Sequence, residues 1–111
     1  MYNKKTVSVV ISTYREKNSI RKFIEECFET GFVDEVIVVN NNAEEGTDQE
    51  VAMTEAILVY ENKQGYGYGY RKGLNTATSD YIIMTEADGT FLPNDFEKLL
   101  LYGKTYPFVI G

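Results

Sequence analysis

Short β-branched runs alternate with helical stripes along this chain, and the alternation restricts its possible folds more than any other feature. Residues 6–12 (TVSVVIS), 35–39 (EVIVV), 57–60 (ILVY) and 80–85 (DYIIMT) have the length and composition of buried strands. After the first run, apolar residues recur at the spacing of an amphipathic helix, at Ile20, Phe23, Ile24, Cys27 and Phe28. Strands that alternate with helices predict an α/β fold, a three-layer α/β/α sandwich around a mostly parallel sheet.

Weaker signals complete this pattern. We expect a helix over 47–55, a turn and helix over 65–77, and a helix that begins near Pro93 and ends near Gly103. A last strand is predicted over 108–110, and its edge could support association between two copies of the chain. The whole chain, residues 1–111, is predicted to form a single domain.

Two residue types narrow the chemistry by their scarcity. The sequence has no histidine and one cysteine, Cys27. Ser-His-Asp and Cys-His catalysis, His-ligated zinc and disulfide frameworks are therefore excluded. Cys27 falls on the apolar helix stripe, so we interpret it as a core residue and not as a nucleophile. Any bound metal must be held mainly by oxygen ligands, which favours Mg²⁺ or Mn²⁺.

The charge balance is acidic, with 17 Asp and Glu against 11 Lys and Arg and a net charge of −6. This balance argues against a nucleic-acid partner, because the phosphate backbone would be repelled. A nucleotide stays open as a ligand, since a metal ion can meet its phosphates. No apolar run approaches the ~18 residues of a membrane span, and no signal-like segment precedes the first strand. We expect a cytoplasmic protein, with peripheral membrane contact left open.

Three polar clusters directly follow predicted strands: 13–16 (TYRE), 40–42 (NNN) and 86–89 (EADG). The carboxyl ends of parallel strands lie along one edge of a sheet, and such sheets bind ligands there. The pair Glu86 and Asp88 is the most informative, because one carboxylate can bind a divalent cation while the other meets a sugar or ribose hydroxyl. A cation held in this way would bridge a diphosphate and neutralise its charge as it leaves. Each cluster alone is also compatible with a solvated turn.

The glycine-rich stretch 65–73 (GYGYGYRKG) has two interpretations. It fits a dinucleotide fingerprint poorly, because Tyr70 occupies the last glycine position of G-x-G-x-x-G and the stretch follows the third strand, not the first. We favour glycines that permit close backbone approach, with Lys63 and Arg71 nearby as phosphate partners. A solvated surface role for these two cations stays open.

Taken in order, these segments resemble the nucleotide-sugar-binding half of a family 2 glycosyltransferase with the Rossmann-like GT-A fold, near the dolichyl-phosphate mannose synthase-like members. Residues 7–16 (VSVVISTYRE) resemble the opening strand and its P-x-Y-N-E turn, and 35–47 (EVIVVNNNAEEGT) resemble V-V-D-D-G-S with its acidic turn. Residues 62–73 (NKQGYGYGYRKG) resemble the N-x-G-x-G and A-x-R-x-G block, and 80–93 (DYIIMTEADGTFLP) resemble the strand with the D-x-D signature. The resemblance extends over 7–111.

The resemblance implies a donor site for a nucleoside-diphosphate sugar, with UDP favoured over GDP. The residues it implies are Thr13, Tyr14, Glu16, Asn40, Lys63, Gly65, Tyr66, Gly67, Arg71, Glu86, Ala87 and Asp88. Asn40 would recognise the base, and Asp88 would be the principal ligand of Mg²⁺ or Mn²⁺, with Glu86 near the ribose or the metal. The implied reaction transfers the sugar to an acceptor hydroxyl or a lipid phosphate, and a glycan acceptor is also open.

The sequence departs from the family pattern at three positions. Ser12 replaces a frequent proline, Asn40 replaces an aspartate that accepts a base N–H, and Glu86 replaces the first aspartate of D-x-D. The amide oxygen of Asn40 can still accept a hydrogen bond, so base preference is left open while binding is expected. The family's catalytic base lies in a second half of the domain. We therefore expect a truncated, donor-binding half whose catalytic residue is unknown.

Two other classes of function stay open. A non-catalytic binding or regulatory module with the same fold would bind nucleotide without turnover. A plain α/β interaction domain would match the motifs by coincidence, and Asp88→Ala would then change neither ligand binding nor metal-dependent thermal stability.

Overall fold

The structure, a computed structural model, describes residues 4–13, 17–41, 43, 45–63, 66–85 and 108–110. Five strands and three helices follow one another in these ranges. In chain order they are β1 (Val7–Thr13), α1 (Lys17–Glu29), β2 (Glu35–Asn40), α2 (Thr47–Ala52), β3 (Ile57–Tyr60), α3 (Tyr66–Thr76), β4 (Tyr81–Thr85) and β5 (Phe108–Ile110).

The strands form one sheet in the order β3-β2-β1-β4-β5, and every pairing between them is parallel. The chain moves outward from β1 to β3 and then returns to place β4 on the other side of β1. The winding therefore reverses between β1 and β4, the place where open α/β sheets form a ligand crevice beyond their carboxyl ends. The predicted parallel sheet is confirmed, and the strand predicted over 108–110 is β5, at one end of the sheet. Association through that edge stays a prediction.

The two faces of the sheet build two separate cores, because successive side chains of a strand point to opposite faces. Val9 and Ile11 pack with Ile20 and Ile24 of α1 on one face, where Val51 of α2 also lies. On the other face, Val10, Ile37 and Val39 pack against α3. All seven residues of β1 are buried, as expected for the central strand of a layered sheet. The predicted three-layer arrangement is confirmed.

The helix ends differ from the predictions in detail. The helix predicted over 47–55 ends at Ala52, because the backbone N–H and the hydroxyl of Thr54 both donate to the carbonyl of Val51. That threonine competes with the helix for its last acceptor. The helix predicted from Pro93 lies outside the described residues. None of the helices in the described ranges is long and apolar enough to cross a membrane.

Cys27 has no solvent exposure and belongs to the core between α1 and the sheet. Burial raises the pKa of its thiol to about 12, and the nearby charge of Glu26 adds to the effect. The interpretation of Cys27 as a core residue is confirmed.

Because the thiolate is the reactive form, we expect no reaction of Cys27 in the native protein with a thiol reagent such as DTNB. In guanidinium the same reagent should label one thiol per chain. Rapid labelling of the native protein would contradict the core assignment.

Candidate functional site

The carboxyl ends of β1, β2 and β3 lie side by side at one edge of the sheet. Thr13 pairs in register with Asn40, and Asn40 pairs with Tyr60 on the next strand. The structure therefore brings together the first residues of two of the polar clusters predicted to meet at this edge. Residues 14–16 and 86–89, which complete the predicted convergence, lie outside the described residues.

Thr13 forms the carboxyl end of β1 at this edge. Its side chain has no exposed surface, and its carbonyl accepts a hydrogen bond from the backbone N–H of Asn41 at 3.3 Å. Sequence reasoning expected Thr13 to border the nucleoside. In this structure Thr13 is a buried strand-end residue, and its place beside the nucleoside stays a prediction.

The side chain of Asn40 is held by hydrogen bonds at both ends of its amide. Its Nδ2 donates to Oδ1 of Asp48 at 2.7 Å, and its Oδ1 accepts from the backbone N–H of Ala43 at 2.8 Å. The other carboxylate oxygen of Asp48 accepts from the hydroxyl of Tyr60 at 2.8 Å. The hydrogen bond to Asp48 is the main reason that the pKa of Tyr60 lies above its usual value. The result is a chain of three polar side chains from three elements.

Sequence reasoning missed Asp48 and Tyr60. Asp48 lies in the first turn of α2, where an acidic residue is common because it favours the helix dipole. Tyr60 closes a short strand and is 56% exposed, which is unremarkable for a tyrosine. The missing signal was the pairing of β2 with β3, which places Asn40 and Tyr60 where each donates to a different oxygen of the Asp48 carboxylate.

Two glycines of α3 bring this helix into close contact with the sheet. A Cβ at Gly69 would overlap Oγ of Ser12 and lie 3.1 Å from Nδ2 of Asn41. A Cβ at Gly73 would overlap Cγ1 of Val10. This pair of glycines, one helical turn apart, permits close approach of α3 to β1 and the end of β2, and the predicted approach to a phosphate stays a prediction. Gly67, a predicted ligand-binding residue, is exposed and has open space around it.

The outward face of α3 and the end of β3 form a basic groove of about 320 Å³. Its lining residues are Glu61, Lys63, Tyr68, Arg71, Lys72 and Asn75. Nζ of Lys63 lies 5.4 Å from the centre of the Tyr68 ring, within cation–π distance. The structure thus brings together Lys63 and Arg71, the two predicted phosphate partners, in a groove that neither Thr13 nor Asn40 lines.

The predicted metal ligands follow β4 directly, after Thr85. Six predicted site residues lie outside the described residues: Tyr14, Glu16, Gly65, Glu86, Ala87 and Asp88. Tyr66 is the first residue of α3. Within the ranges that the structure describes, no three carboxylate or thiol side chains cluster as metal ligands would. The metal site therefore stays a prediction from the sequence.

A parallel sheet whose winding reverses beside its first strand, with polar residues at the carboxyl edge, defines an open α/β protein of the Rossmann-like class. The model of glycosyl transferase family 2 matches residues 8–111. The chain belongs to glycosyltransferase family 2, and the resemblance stated from its sequence is confirmed.

Individual relatives are similar to the chain over most of its length. Low-salt glycan biosynthesis hexosyltransferase Agl6 of Haloferax volcanii is 33% identical over 97 residues, which cover 85% of this chain and 23% of that protein. An uncharacterised glycosyltransferase of Mycobacterium tuberculosis is 29% identical over 94 residues, covering 85% of this chain and 42% of that protein. The chain thus spans less than half the length of these relatives.

The fold is also similar to that of glucosyl-3-phosphoglycerate synthase from Mycobacterium tuberculosis. One crystal structure of that enzyme, in complex with Mn²⁺, UDP and glucosyl-3-phosphoglycerate, matches with a TM-score of 0.76 at 20% identity. The match covers 93% of this chain and 40% of that one. Another structure of the same enzyme contains Mg²⁺ and UDP. The likeness confirms the predicted GT-A fold.

Proposed function

We propose that this chain forms the donor-binding half of a glycosyltransferase and binds a nucleoside-diphosphate sugar at the carboxyl edge of its sheet. The observation that carries the proposal is the Asn40 amide, held by two hydrogen bonds at the strand end beside Thr13. Family membership supports it, because the matched region includes this edge. The predicted residues Tyr14, Glu16 and Ala87 would border the same donor.

Asn40 is suited to a nucleobase and poorly suited to a phosphate. Its two hydrogen bonds use one N–H and one lone pair, and an amide has a second of each to offer a ligand. A base edge carries donors and acceptors side by side, which such an amide can match. The carboxylate of Asp48 directly behind the amide would repel an anion at this point.

The diphosphate is assigned to two other groups. Lys63 and Arg71 are exposed cations of the basic groove, near the amino end of α3 where Gly65 and Tyr66 lie in sequence. Glu86 and Asp88 offer the hard oxygen ligands that suit Mg²⁺ or Mn²⁺. When bound there, such an ion supplies charge neutralisation for the diphosphate leaving group.

Transfer of the sugar would need more than these residues. The resemblance assigns the catalytic base to a second half of the domain, and we propose that these residues contribute donor binding to the transfer. The acceptor is proposed to be a hydroxyl or a lipid phosphate, and the donor a UDP-sugar in preference to a GDP-sugar. A cytoplasmic location belongs to the same proposal.

Thermal unfolding in the presence of nucleotides tests this function. UDP, GDP and pyrophosphate are each added with Mn²⁺ and, in a parallel series, with EDTA. A ligand at about 100 times its Kd stabilises the folded state by about 2.7 kcal/mol, which raises the Tm of a domain of this size by about 10 °C. We expect that rise with UDP and Mn²⁺ and a smaller one with pyrophosphate, which has no base. The absence of a rise with either nucleotide would refute donor binding.

A further inference from the structure

The carboxylate of Asp48 lies behind the Asn40 amide, and donor binding alone does not require it. We propose that Asp48 is a positioning residue for base recognition. It holds the Asn40 amide in one of the two orientations that a flip of about 180° interconverts, and this orientation favours bases with a ring N–H. This inference rests on the proposed donor site and names the feature that sets its base preference.

Three elements converge on the Asp48 side chain. Asp48 lies in the first turn of α2, while Asn40 and Tyr60 are paired at the ends of β2 and β3. One oxygen of the carboxylate accepts from Asn40 at 2.7 Å and the other from Tyr60 at 2.8 Å. The backbone N–H of Glu61 also donates to the carbonyl of Asn40, at 3.1 Å. The residue expected to contact the base is therefore anchored through both its main chain and its side chain.

The partners of the amide permit only one of its two orientations. An ionised carboxylate such as Asp48 can only accept hydrogen bonds, and the backbone N–H of Ala43 can only donate one. The first must face Nδ2 of Asn40 and the second must face Oδ1, as observed. The flipped amide would lose both hydrogen bonds, one of them charge-assisted, and would place oxygen against oxygen.

The charge of Asp48 also affects the oxygen of the amide. A hydrogen bond from Nδ2 of Asn40 to a carboxylate polarises the amide and makes its oxygen a stronger acceptor. A stronger acceptor favours a ligand that donates, such as the ring N–H of uracil or guanine. Cytosine has no ring N–H at the corresponding position, so CDP is expected to bind more weakly than UDP.

The neutral residue at position 40 is what permits this arrangement. A carboxylate there would lie about as close to Asp48 as the amide nitrogen does, and two like charges at that distance repel strongly. Asn40 and Asp48 are thus complementary: the negative charge is on Asp48, behind the residue proposed to contact the base, and Asn40 itself is neutral. The asparagine at position 40, where the family usually has aspartate, therefore has a physical reason in this chain: it can donate a hydrogen bond to Asp48.

Calorimetric titration of the protein with UDP, CDP and pyrophosphate, all with Mn²⁺, tests the inference in three variants. In Asp48→Ala we expect UDP affinity to fall about tenfold, the effect of one charge-assisted hydrogen bond, and the preference for UDP over CDP to fall with it. Pyrophosphate affinity should not change, whereas a merely structural role would weaken all three ligands alike. Asp48→Asn keeps an oxygen acceptor and should fall between Asp48→Ala and the wild type.

Tyr60→Phe is the matched control, because it removes a hydrogen bond to the same carboxylate without touching Asn40. Its UDP to CDP preference should stay within about twofold of the wild type. Should Asp48→Ala fail to fold, Asp48→Ser repeats the test with a polar residue in the helix's first turn. An unchanged preference in folded Asp48→Ala or Asp48→Ser overturns the inference and leaves the donor site intact. A wild type that binds no nucleotide overturns the proposed function, and this inference with it.

Discussion

Gly73→Ala is expected to lower the free energy of unfolding by about 2 kcal/mol, although alanine is the better helix former. The new Cβ would overlap Cγ1 of Val10 and lie 3.3 Å from two further atoms of that side chain. Val10 is fully buried and β-branched, so it has little freedom to move aside. Forced overpacking of a core costs about 1–3 kcal/mol, and the loss includes displacement of α3 from β1. Urea unfolding followed by circular dichroism measures the change.

Gly67→Ala is the matched control on the same helix. Position 67 is exposed and a Cβ there meets nothing within 4 Å, so only the helix propensity changes. We expect this variant to be more stable than the wild type by about 0.5–1 kcal/mol. The same substitution at two positions of α3 should therefore act with opposite signs. Equal stability of the two variants would show that α3 does not pack on β1 as closely as the structure indicates.

Asp88→Ala is expected to weaken UDP binding in Mn²⁺ by at least about 100-fold. Loss of a residue that only hydrogen-bonds to a metal ligand already lowers metal affinity by about 10–100-fold, and loss of the ligand itself should cost more. The proposed role of Asp88 is to hold the ion that meets the diphosphate. In EDTA, wild type and variant should bind UDP equally weakly. Titration calorimetry with and without Mn²⁺ measures the difference.

Asp80→Ala is the control for this experiment. Asp80 immediately precedes β4, at the opposite edge of the sheet, where its carboxylate accepts from the backbone N–H of Thr6 at 3.0 Å. That variant loses local hydrogen bonds, yet it should bind UDP with Mn²⁺ as the wild type does. If Asp88→Ala binds as tightly as Asp80→Ala, the metal ligand lies elsewhere in the protein.

The order and type of the main elements could be predicted from sequence, because each strand is a short β-branched run and α1 carries a regular apolar stripe. Long, strongly periodic segments reveal their burial directly. The end of α2 could not be predicted, because it depends on the hydrogen bond from the Thr54 hydroxyl to the carbonyl of Val51, which forms only in a particular side-chain geometry. The position of β4 beside β1 also arises from packing and not from any local pattern.

The sequence predicted where the candidate site lies on the sheet, but it did not predict the side-chain contacts within that site. Asn40 lies at the expected edge, but its partner Asp48 is set by the docking of α2, which no spacing rule predicts. The glycine-rich stretch was expected to approach a ligand, and the structure shows that two of its glycines approach the sheet. A pair of glycines one turn apart in a helix, Gly69 and Gly73, was the available signal. Thr13 is the last residue of β1, a strand that is buried throughout, and the predicted strand over 6–12 ended one residue before it.

Titration of the protein with UDP, once in Mn²⁺ and once in EDTA, tests donor binding most directly. We expect saturable binding in Mn²⁺ that is strongly weakened in EDTA, because the ion is proposed to join the diphosphate to the carboxylates after β4. Binding of equal strength in both solutions would contradict the metal's role. No binding in either would contradict the assignment of this chain as a nucleotide-sugar-binding half.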